Sequence, residues 1–138
     1  MNHAIPPISE LIPHEPPMIL IDRILELSAD CVHAETTLQP GALDDNGTGV
    51  SSAWSLEIVA QACAALIGQH YRDQGFREGR LIKSSRWTLS TLHLPTAQLL
   101  TIHATIEAAS DMGIFLFNGE LRAGDTCLAE GQLTILAR

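Results

Sequence analysis

The sequence predicts an α+β fold in which one long helix packs against a curved antiparallel sheet. Two strand-like segments come first, one helical segment follows, and about four strand-like segments complete the chain. The helical segment is apolar on almost every side, so it needs more cover than a flat sheet provides. Either the sheet curves around the helix or a second subunit covers it. At 138 residues the chain has the size of a single domain, 1–138.

Two strands and a loop are predicted before the helix, after a proline-rich segment. Residues 5–17 are rich in proline, which lacks a backbone donor, and we expect them to follow the surface or a sheet edge. The predicted strands are MILIDRILEL at 18–27 and CVHAETTL at 31–38. The second of these alternates between apolar and polar residues, as a strand does. The segment PGALDDNGTGVSSA at 40–53 is dense in turn-forming residues and is predicted to be a loop.

Residues 54–71 form the predicted helix, since they are rich in Ala and Leu and lack the alternation of a strand. Strand-like patterns return after it, with SDMG and RAGD as turns between the last three. These later strands are predicted at 81–94, 98–109, 114–124 and 126–138.

The composition is that of a globular protein, with 46% hydrophobic and 17% charged residues. No apolar run reaches the ~18 residues of a membrane span, and the N-terminus lacks the Lys or Arg of a signal peptide. We therefore expect a cytoplasmic protein. The net charge of −8 disfavours nucleic acid and anionic membranes as partners. The 3 cysteines are expected to be small buried residues. Neither they nor the 6 histidines have the spacing of metal ligands, so no metal or cofactor is expected.

One segment carries most of the positive charge. Five bases and two acids give positions 72–86 a charge of +3, against −8 for the whole chain. The basic residues are Arg72, Arg77, Arg80, Lys83 and Arg86. Such a segment on an acidic protein is either a surface that steers an anionic ligand or an acidic partner, or a solvated loop.

Two motifs, in this order and at this spacing, resemble the hotdog-fold family of β-hydroxyacyl-(acyl carrier protein) dehydratases. LIPHEPPMILIDRILEL at 11–27 resembles that family's N-terminal motif L-x-P-H-x-x-P-x-x-x-x-D-R. LEIVAQACAAL at 56–66 resembles its central-helix motif L-E-x-x-A-Q. The pattern extends from Leu11 to Arg138. The similarity is greatest to a divergent branch found with aryl-polyene-type biosynthetic clusters, in which an aromatic residue precedes the helix, as Trp54 does here.

The resemblance implies a hotdog fold, with a long central helix wrapped by a curved antiparallel sheet, and a dimer with joined sheets. Acyl chains would lie in a tunnel at the dimer interface, close to the acid of the central helix. On this basis Glu57 is expected to be catalytic, and Gln61 and Trp54 are expected to bind substrate. The implied partners are an acyl carrier protein, which the basic segment 72–86 would bind, and a second hotdog subunit, identical or different.

Glu57 is the single carboxylate in the apolar stretch WSLEIVAQACAAL at 54–66. Burial of an unpaired carboxylate is costly, so we interpret Glu57 as an acid or base at the substrate. The alternative is a first-turn glutamate that complements the helix dipole. Gln61 lies four residues later on the same helix face. It either orients the carboxyl group or satisfies a buried backbone group.

A residue expected from the resemblance is absent. The dehydratases carry a catalytic histidine in a Gly-His-Phe motif in the loop before the helix, but fourteen positions before Glu57 this chain has Leu43. His14, in the N-terminal motif, is the best-placed substitute base, although its counterpart in the family is structural. Asp44 and Asp45 of the same loop either act as acid or base or belong to a solvated turn.

Three functions are consistent with these residues. The first is a 3-hydroxyacyl-thioester dehydratase of fatty-acid or polyene-type biosynthesis, which needs one group to remove an α proton and another to protonate the departing hydroxyl. The second is a non-catalytic partner subunit of an active hotdog dehydratase. The third is a hotdog acyl thioesterase, in which a carboxylate on the helix activates water and no loop histidine is needed.

Overall fold

The structure, a computed structural model, describes residues 5–12, 18–76 and 79–138. In these residues two α-helices and eight strands follow one another, with a 3₁₀ turn after the second helix. The helices are α1 (Ile8–Leu11) and α2 (Trp54–His70), and the 3₁₀ turn is Arg72–Gln74. The strands are β1 (Arg23–Leu27), β2 (Cys31–Thr37), β3 (Val50–Ser51), β4 (Gly79–Leu89), β5 (His93–Leu94), β6 (Leu99–Ala109), β7 (Ile114–Ala123) and β8 (Thr126–Ala137).

Six strands form one antiparallel sheet in the order β1–β2–β6–β7–β8–β4. Burial alternates along these strands, as in β2, where Val32, Ala34 and Thr36 are buried and the residues between them are only partly buried. The buried residues form an inner face against α2, which contacts β2, β4, β6, β7 and β8. The others form an outer face. The prediction of a long central helix wrapped by a curved antiparallel sheet is confirmed.

The sheet encloses α2 closely, and twelve of the 17 helix residues are buried. Two strand positions that face the helix are glycines. A Cβ atom at Gly119 would lie 2.6 Å from Val59 Cγ1. A Cβ atom at Gly79 would lie 2.7 Å from Ile135 Cγ2 and 3.1 Å from Ile67 Cδ1. Because such contacts are closer than van der Waals distance, a side chain at either position would require its neighbours to shift.

The first predicted strand is shorter than expected, since only Arg23–Leu27 pairs as β1. Just before it, Leu20 donates its N–H to Gln61 Oε1 at 2.8 Å. The carbonyl of Leu20 accepts a hydrogen bond from Thr36 Oγ1 at 2.7 Å. Because side chains form the hydrogen bonds of these backbone groups, the segment before β1 is held in place without pairing to another strand there. The proline-rich N-terminal segment, for which no element was predicted, contains a helical turn, α1.

The predicted strand 81–94 is two strands. β4 ends at Leu89, and β5 pairs with β3 in a separate two-stranded sheet. The chain turns between them, where Ser90 donates its N–H to the Leu128 carbonyl at 2.9 Å. β3 lies within the predicted loop 40–53, so this small sheet holds the chain just before α2.

β4 is an edge strand with two irregularities in its pairing. At the second, Arg86 has a φ of 56°. Gly131 lies against it, since a Cβ atom there would be 2.7 Å from the Arg86 carbonyl oxygen. Next to this bulge, Trp87 Nε1 donates a hydrogen bond to Ser55 Oγ at 3.1 Å. The bulge thereby connects β4 to the first turn of α2.

The cysteines are not all buried. Cys63 is buried in α2, and burial raises the pKa of its thiol. Cys31 and Cys127 are half-buried on strands, so the expectation of burial is wrong for these two.

Among the helices that the structure describes, none is long and apolar enough to span a membrane. The dimer stays a prediction.

Candidate functional site

Glu57 and Gln61, which the sequence predicts to lie on one helix face, are in contact. Glu57 is in the first turn of α2 and is partly buried, and Gln61 is 1% exposed. The side-chain amide of Gln61 donates from Nε2 to Glu57 Oε1 at 3.4 Å. This contact gives the carboxyl group an orienting donor at the start of the helix.

Gln61 also binds the backbone of the N-terminal segment. Its Oε1 accepts the N–H of Leu20 at 2.8 Å, and its Nε2 donates to the carbonyl of Met18 at 2.7 Å. Both roles considered for Gln61 are therefore present, because it contacts the carboxyl group and satisfies buried backbone groups. Through this one side chain, the central-helix motif holds the N-terminal motif. Direct contact of Gln61 with substrate stays a prediction.

The loop before α2 is organised around two aspartates. Asp45 accepts three backbone hydrogen bonds, and these lower the pKa of its carboxyl group. The donors are Gly41 at 2.7 Å, Gly47 at 2.9 Å and Gly49 at 2.9 Å. Asp44 Oδ1 accepts the N–H of Ser51 at 2.9 Å. Both carboxylates are thus used in shaping the loop, which supports the turn interpretation over that of an acid or base.

We expect Asp45→Asn to destabilise the fold in a pH-dependent way. A carboxyl group whose pKa is lower in the folded protein stabilises it fully above the unfolded pKa of about 3.9, and this contribution is lost as pH falls through the folded pKa. The difference in unfolding free energy between wild type and Asp45→Asn should therefore be present at neutral pH and shrink in acid. Urea denaturation across this pH range measures it, with Asp125→Asn in another exposed turn as the control. A difference that is constant with pH would contradict the role of Asp45.

Trp54 begins α2 and forms part of the lining of a cavity of about 600 Å³. The cavity is bordered by the segment before β1, the end of β2 and the loop before α2. Leu43, at the position where the family resemblance predicts a histidine, also lines it. The φ of Leu43 is 52°, a region that histidine adopts more readily than leucine. The backbone here is thus compatible with the histidine that the chain lacks.

Three of the predicted carrier-protein-binding residues lie on the edge strand β4. Those that the structure describes are exposed, and they are Arg72 in the 3₁₀ turn and Arg80, Lys83 and Arg86 on β4. β4 begins at Gly79, next to the C-terminal half of α2, and reaches Trp87, next to its first turn. The basic edge therefore ends beside the turn of α2 that carries Glu57. His14 and Arg77 lie outside the described residues.

Two features of the structure were not predicted from the sequence. The hydrogen bond from Trp87 to Ser55 depends on a strand bulge, which no local pattern of β4 indicates. A cluster of possible metal ligands within the described chain, formed by Glu120, Cys127 and Glu130, has its donor atoms within 4.8 Å of one another. It is created by the pairing of β7 with β8, and Glu120 in it is already bound by Arg122 at 3.0 Å.

Comparisons with known proteins agree with this fold. The chain is similar to the dehydratase heterocomplex ApeI:P from Xenorhabdus doucetiae, with 21% identity, a TM-score of 0.85, and coverage of 96% of this chain and 91% of that chain. It is similar to Cj0977, a sigma28-regulated virulence protein from Campylobacter jejuni, with 13% identity, a TM-score of 0.74, and coverage of 95% and 87%. It is also similar to a hypothetical thioesterase with coenzyme A from Streptococcus pneumoniae, with 11% identity, a TM-score of 0.66, and coverage of 83% and 86%.

At these identities the solved structures establish the fold, which is the predicted hotdog fold. A search of curated proteins gave no match. The sequence model of the ApeP-like family, described as ApeP dehydratase, matches residues 6–138, nearly the whole chain. The chain therefore belongs to the ApeP-like dehydratase family.

Proposed function

We propose that this chain is the Glu57-bearing subunit of a hotdog dehydratase that eliminates water from 3-hydroxyacyl thioesters in polyene-type biosynthesis, in the cytoplasm. One observation carries the proposal. Gln61 contacts the Glu57 carboxyl group and holds the N-terminal motif against α2, while the loop position of the expected histidine is Leu43. These contacts support a chain that supplies the carboxyl half of an acid–base pair, with the other half supplied from elsewhere.

The reaction sets the role of each half. A base removes the proton from C2, the electron pair forms the C2–C3 double bond, and the hydroxyl group leaves C3 with a proton supplied by an acid, as water. Glu57 is the carboxyl group assigned to proton transfer at the hydroxyl. Backbone N–H groups at the start of a helix suit the developing charge on the thioester oxygen.

A second hotdog subunit is the proposed source of the base. In the hotdog family the acyl tunnel lies at the dimer interface, so a histidine of the partner can meet Glu57 there. The similar ApeI:P structure is a dehydratase heterocomplex, which supports a pair of unlike subunits for this chain as well. A homodimer would instead need a base from within this chain, and His14 is the candidate for that case.

Reconstitution tests the proposal. A 3-hydroxyacyl carrier protein is incubated with this chain, with a hotdog partner that has the loop histidine, and with both, and the products are identified by mass spectrometry. We expect loss of water at full rate only with both subunits. Full activity of this chain alone would overturn the requirement for a partner, and release of the carrier thiol without loss of water would establish the thioesterase alternative.

We further propose that the basic edge formed by Arg72, Arg80, Lys83 and Arg86 receives an acyl carrier protein, whose surface is acidic. Exposed cations along β4 would steer such a partner toward the first turn of α2. The alternative for these residues is a solvated edge that keeps the strand from pairing nonspecifically.

Charge reversal distinguishes the two alternatives. Lys83→Glu on β4 and Arg23→Glu on β1 change the net charge equally, but they lie on opposite edges of the sheet. We expect Lys83→Glu to weaken carrier-protein binding about threefold to tenfold and to flatten its dependence on salt. Arg23→Glu should have little effect. Equal effects of both variants, measured by titration calorimetry at two salt concentrations, would contradict a binding site on β4.

A further inference from the structure

We propose that Cys31, His33 and His103 form a zinc-binding site on the outer face of the sheet. The ligands come from two neighbouring strands, β2 and β6. The site is separate from Glu57, which belongs to α2 on the inner face, and so it does not rest on the proposed function. Ligand spacing along the sequence gives no sign of it, because the pairing of strands distant in the chain brings the ligands together.

Strand geometry puts the three side chains on one face of the sheet. Cys31 and His33 are two residues apart in β2, and Val32 between them is buried against the core. Because side chains alternate along a strand, Cys31 and His33 both point outward. His103 is exposed and lies directly opposite His33 in β6. Three potential metal ligands thus lie together on the outer face.

The distances between these side chains are close to those of a metal site. Cys31 Sγ lies 3.2 Å from His103 Nε2. Bound to one tetrahedral zinc ion, a sulfur and a nitrogen ligand lie about 3.5 Å apart. The ring centres of His33 and His103 are 6.1 Å apart, against about 5 Å for two imidazoles on one zinc ion. Small rotations of the side chains therefore suffice to place all three donors around an ion.

The types of donor select the ion. A thiolate and two imidazoles suit zinc, whereas Mg²⁺ and Ca²⁺ prefer oxygen ligands. Three protein ligands leave the fourth position of a tetrahedral ion to water. The cluster of Glu120, Cys127 and Glu130 is less suited to zinc, since carboxylates predominate in it and Glu120 already pairs with Arg122.

The surroundings of His103 suit a ligating histidine. Glu120 lies directly opposite His103 in β7. A carboxylate beside a ligating histidine commonly accepts the N–H of the second ring nitrogen and thereby fixes the orientation of the ring. His103 and Glu120 also line a surface cavity of about 380 Å³, through which a hydrated ion can reach the site.

Cobalt titration of the full, metal-free chain tests the site. Tetrahedral Co²⁺ with a thiolate ligand absorbs visible light strongly and has a sulfur-to-metal charge-transfer band in the near ultraviolet. We expect both signals to saturate at one ion per chain, to disappear when zinc is added, and to persist in excess Mg²⁺. Absence of the charge-transfer band, or displacement of cobalt by Mg²⁺, would overturn the site.

Substitutions locate the binding. Cys31→Ala and His103→Ala each remove one of three ligands and are expected to weaken zinc binding about tenfold or more. Cys127→Ala and His93→Ala are the matched controls, at a half-buried cysteine on β8 and an exposed histidine on β5. Both controls should bind zinc as wild type does. Loss of binding in Cys127→Ala but not in Cys31→Ala would assign the ion to the carboxylate cluster and refute the proposal.

Alkylation of the wild-type chain tests the site without any substitution. The thiolate is both the nucleophile and the metal ligand, so zinc should slow the reaction of Cys31 with iodoacetamide about tenfold or more. Cys127 should react at the same rate with and without zinc. Peptide mapping by mass spectrometry measures both rates in one sample. An unchanged rate for Cys31 would refute its role as a ligand even if the variants fail to fold.

Discussion

Glu57→Gln is expected to lower the turnover of the assembled dehydratase about 10²- to 10⁴-fold, the usual contribution of a general acid or base. Glutamine keeps the volume of the side chain but can neither release nor take up a proton at the substrate. The amide of Gln61 would still have an oxygen to bind at position 57, so the packing around α2 should persist. The effect should therefore appear in kcat, with little change in KM or in the unfolding free energy.

Glu26→Gln is the matched control, since it makes the same chemical change at an exposed position of β1. It should leave both turnover and stability unchanged. Retention of more than a tenth of wild-type turnover by Glu57→Gln, with the pair intact by gel filtration, would remove Glu57 from the chemistry. Its role would then be that of a first-turn carboxylate that complements the helix dipole.

Gln61→Leu is expected to reduce the unfolding free energy by about 2–4 kcal/mol. The substitution keeps a side chain of similar size but leaves the Leu20 N–H and the Met18 carbonyl without their partners. A buried backbone group such as the Leu20 N–H costs about 1–3 kcal/mol when it is left unsatisfied, and the part-buried Met18 carbonyl adds less. Urea denaturation measures the loss, and turnover of the pair should fall as well, because Glu57 loses the amide that orients it.

Gln69→Leu provides the control for this prediction. It makes the same change near the end of the same helix, where the side chain is exposed, and should alter stability by less than about 0.5 kcal/mol. Equal stability of the two variants would mean that the backbone of the N-terminal segment finds other partners. The hydrogen bonds of Gln61 would then not hold the two motifs together.

The large elements of the fold were predictable because they follow from local patterns. The apolar helix and the strands after it are encoded by the periodicity of residues 54–71 and 98–138, and the structure has them there with no end shifted by more than one residue. Predictions failed where a distant side chain decides the local structure. The segment before β1 has a strand-like sequence, yet Gln61 and Thr36 take its backbone groups. Likewise, the end of the predicted strand 81–94 pairs with the loop before α2 instead.

The candidate site likewise has features that the sequence predicts and features that it does not. Contact between Glu57 and Gln61 follows from helix spacing alone, so the sequence is enough to predict it. The cavity beside Trp54 combines three segments that are distant in the chain, and no single segment indicates it. The left-handed backbone conformation at Leu43 could not be predicted from the sequence either, since leucine does not favour it.

The hydrogen bonds of Gln61 also bear on how this family can diversify. In Met18 and Leu20, the atoms that Gln61 binds belong to the main chain. The path of this segment therefore does not depend on which side chains it carries. Side chains at 18–20 can therefore change while the wall that they line stays in place. The shape of the cavity beside Trp54 can thus vary on an unchanged scaffold.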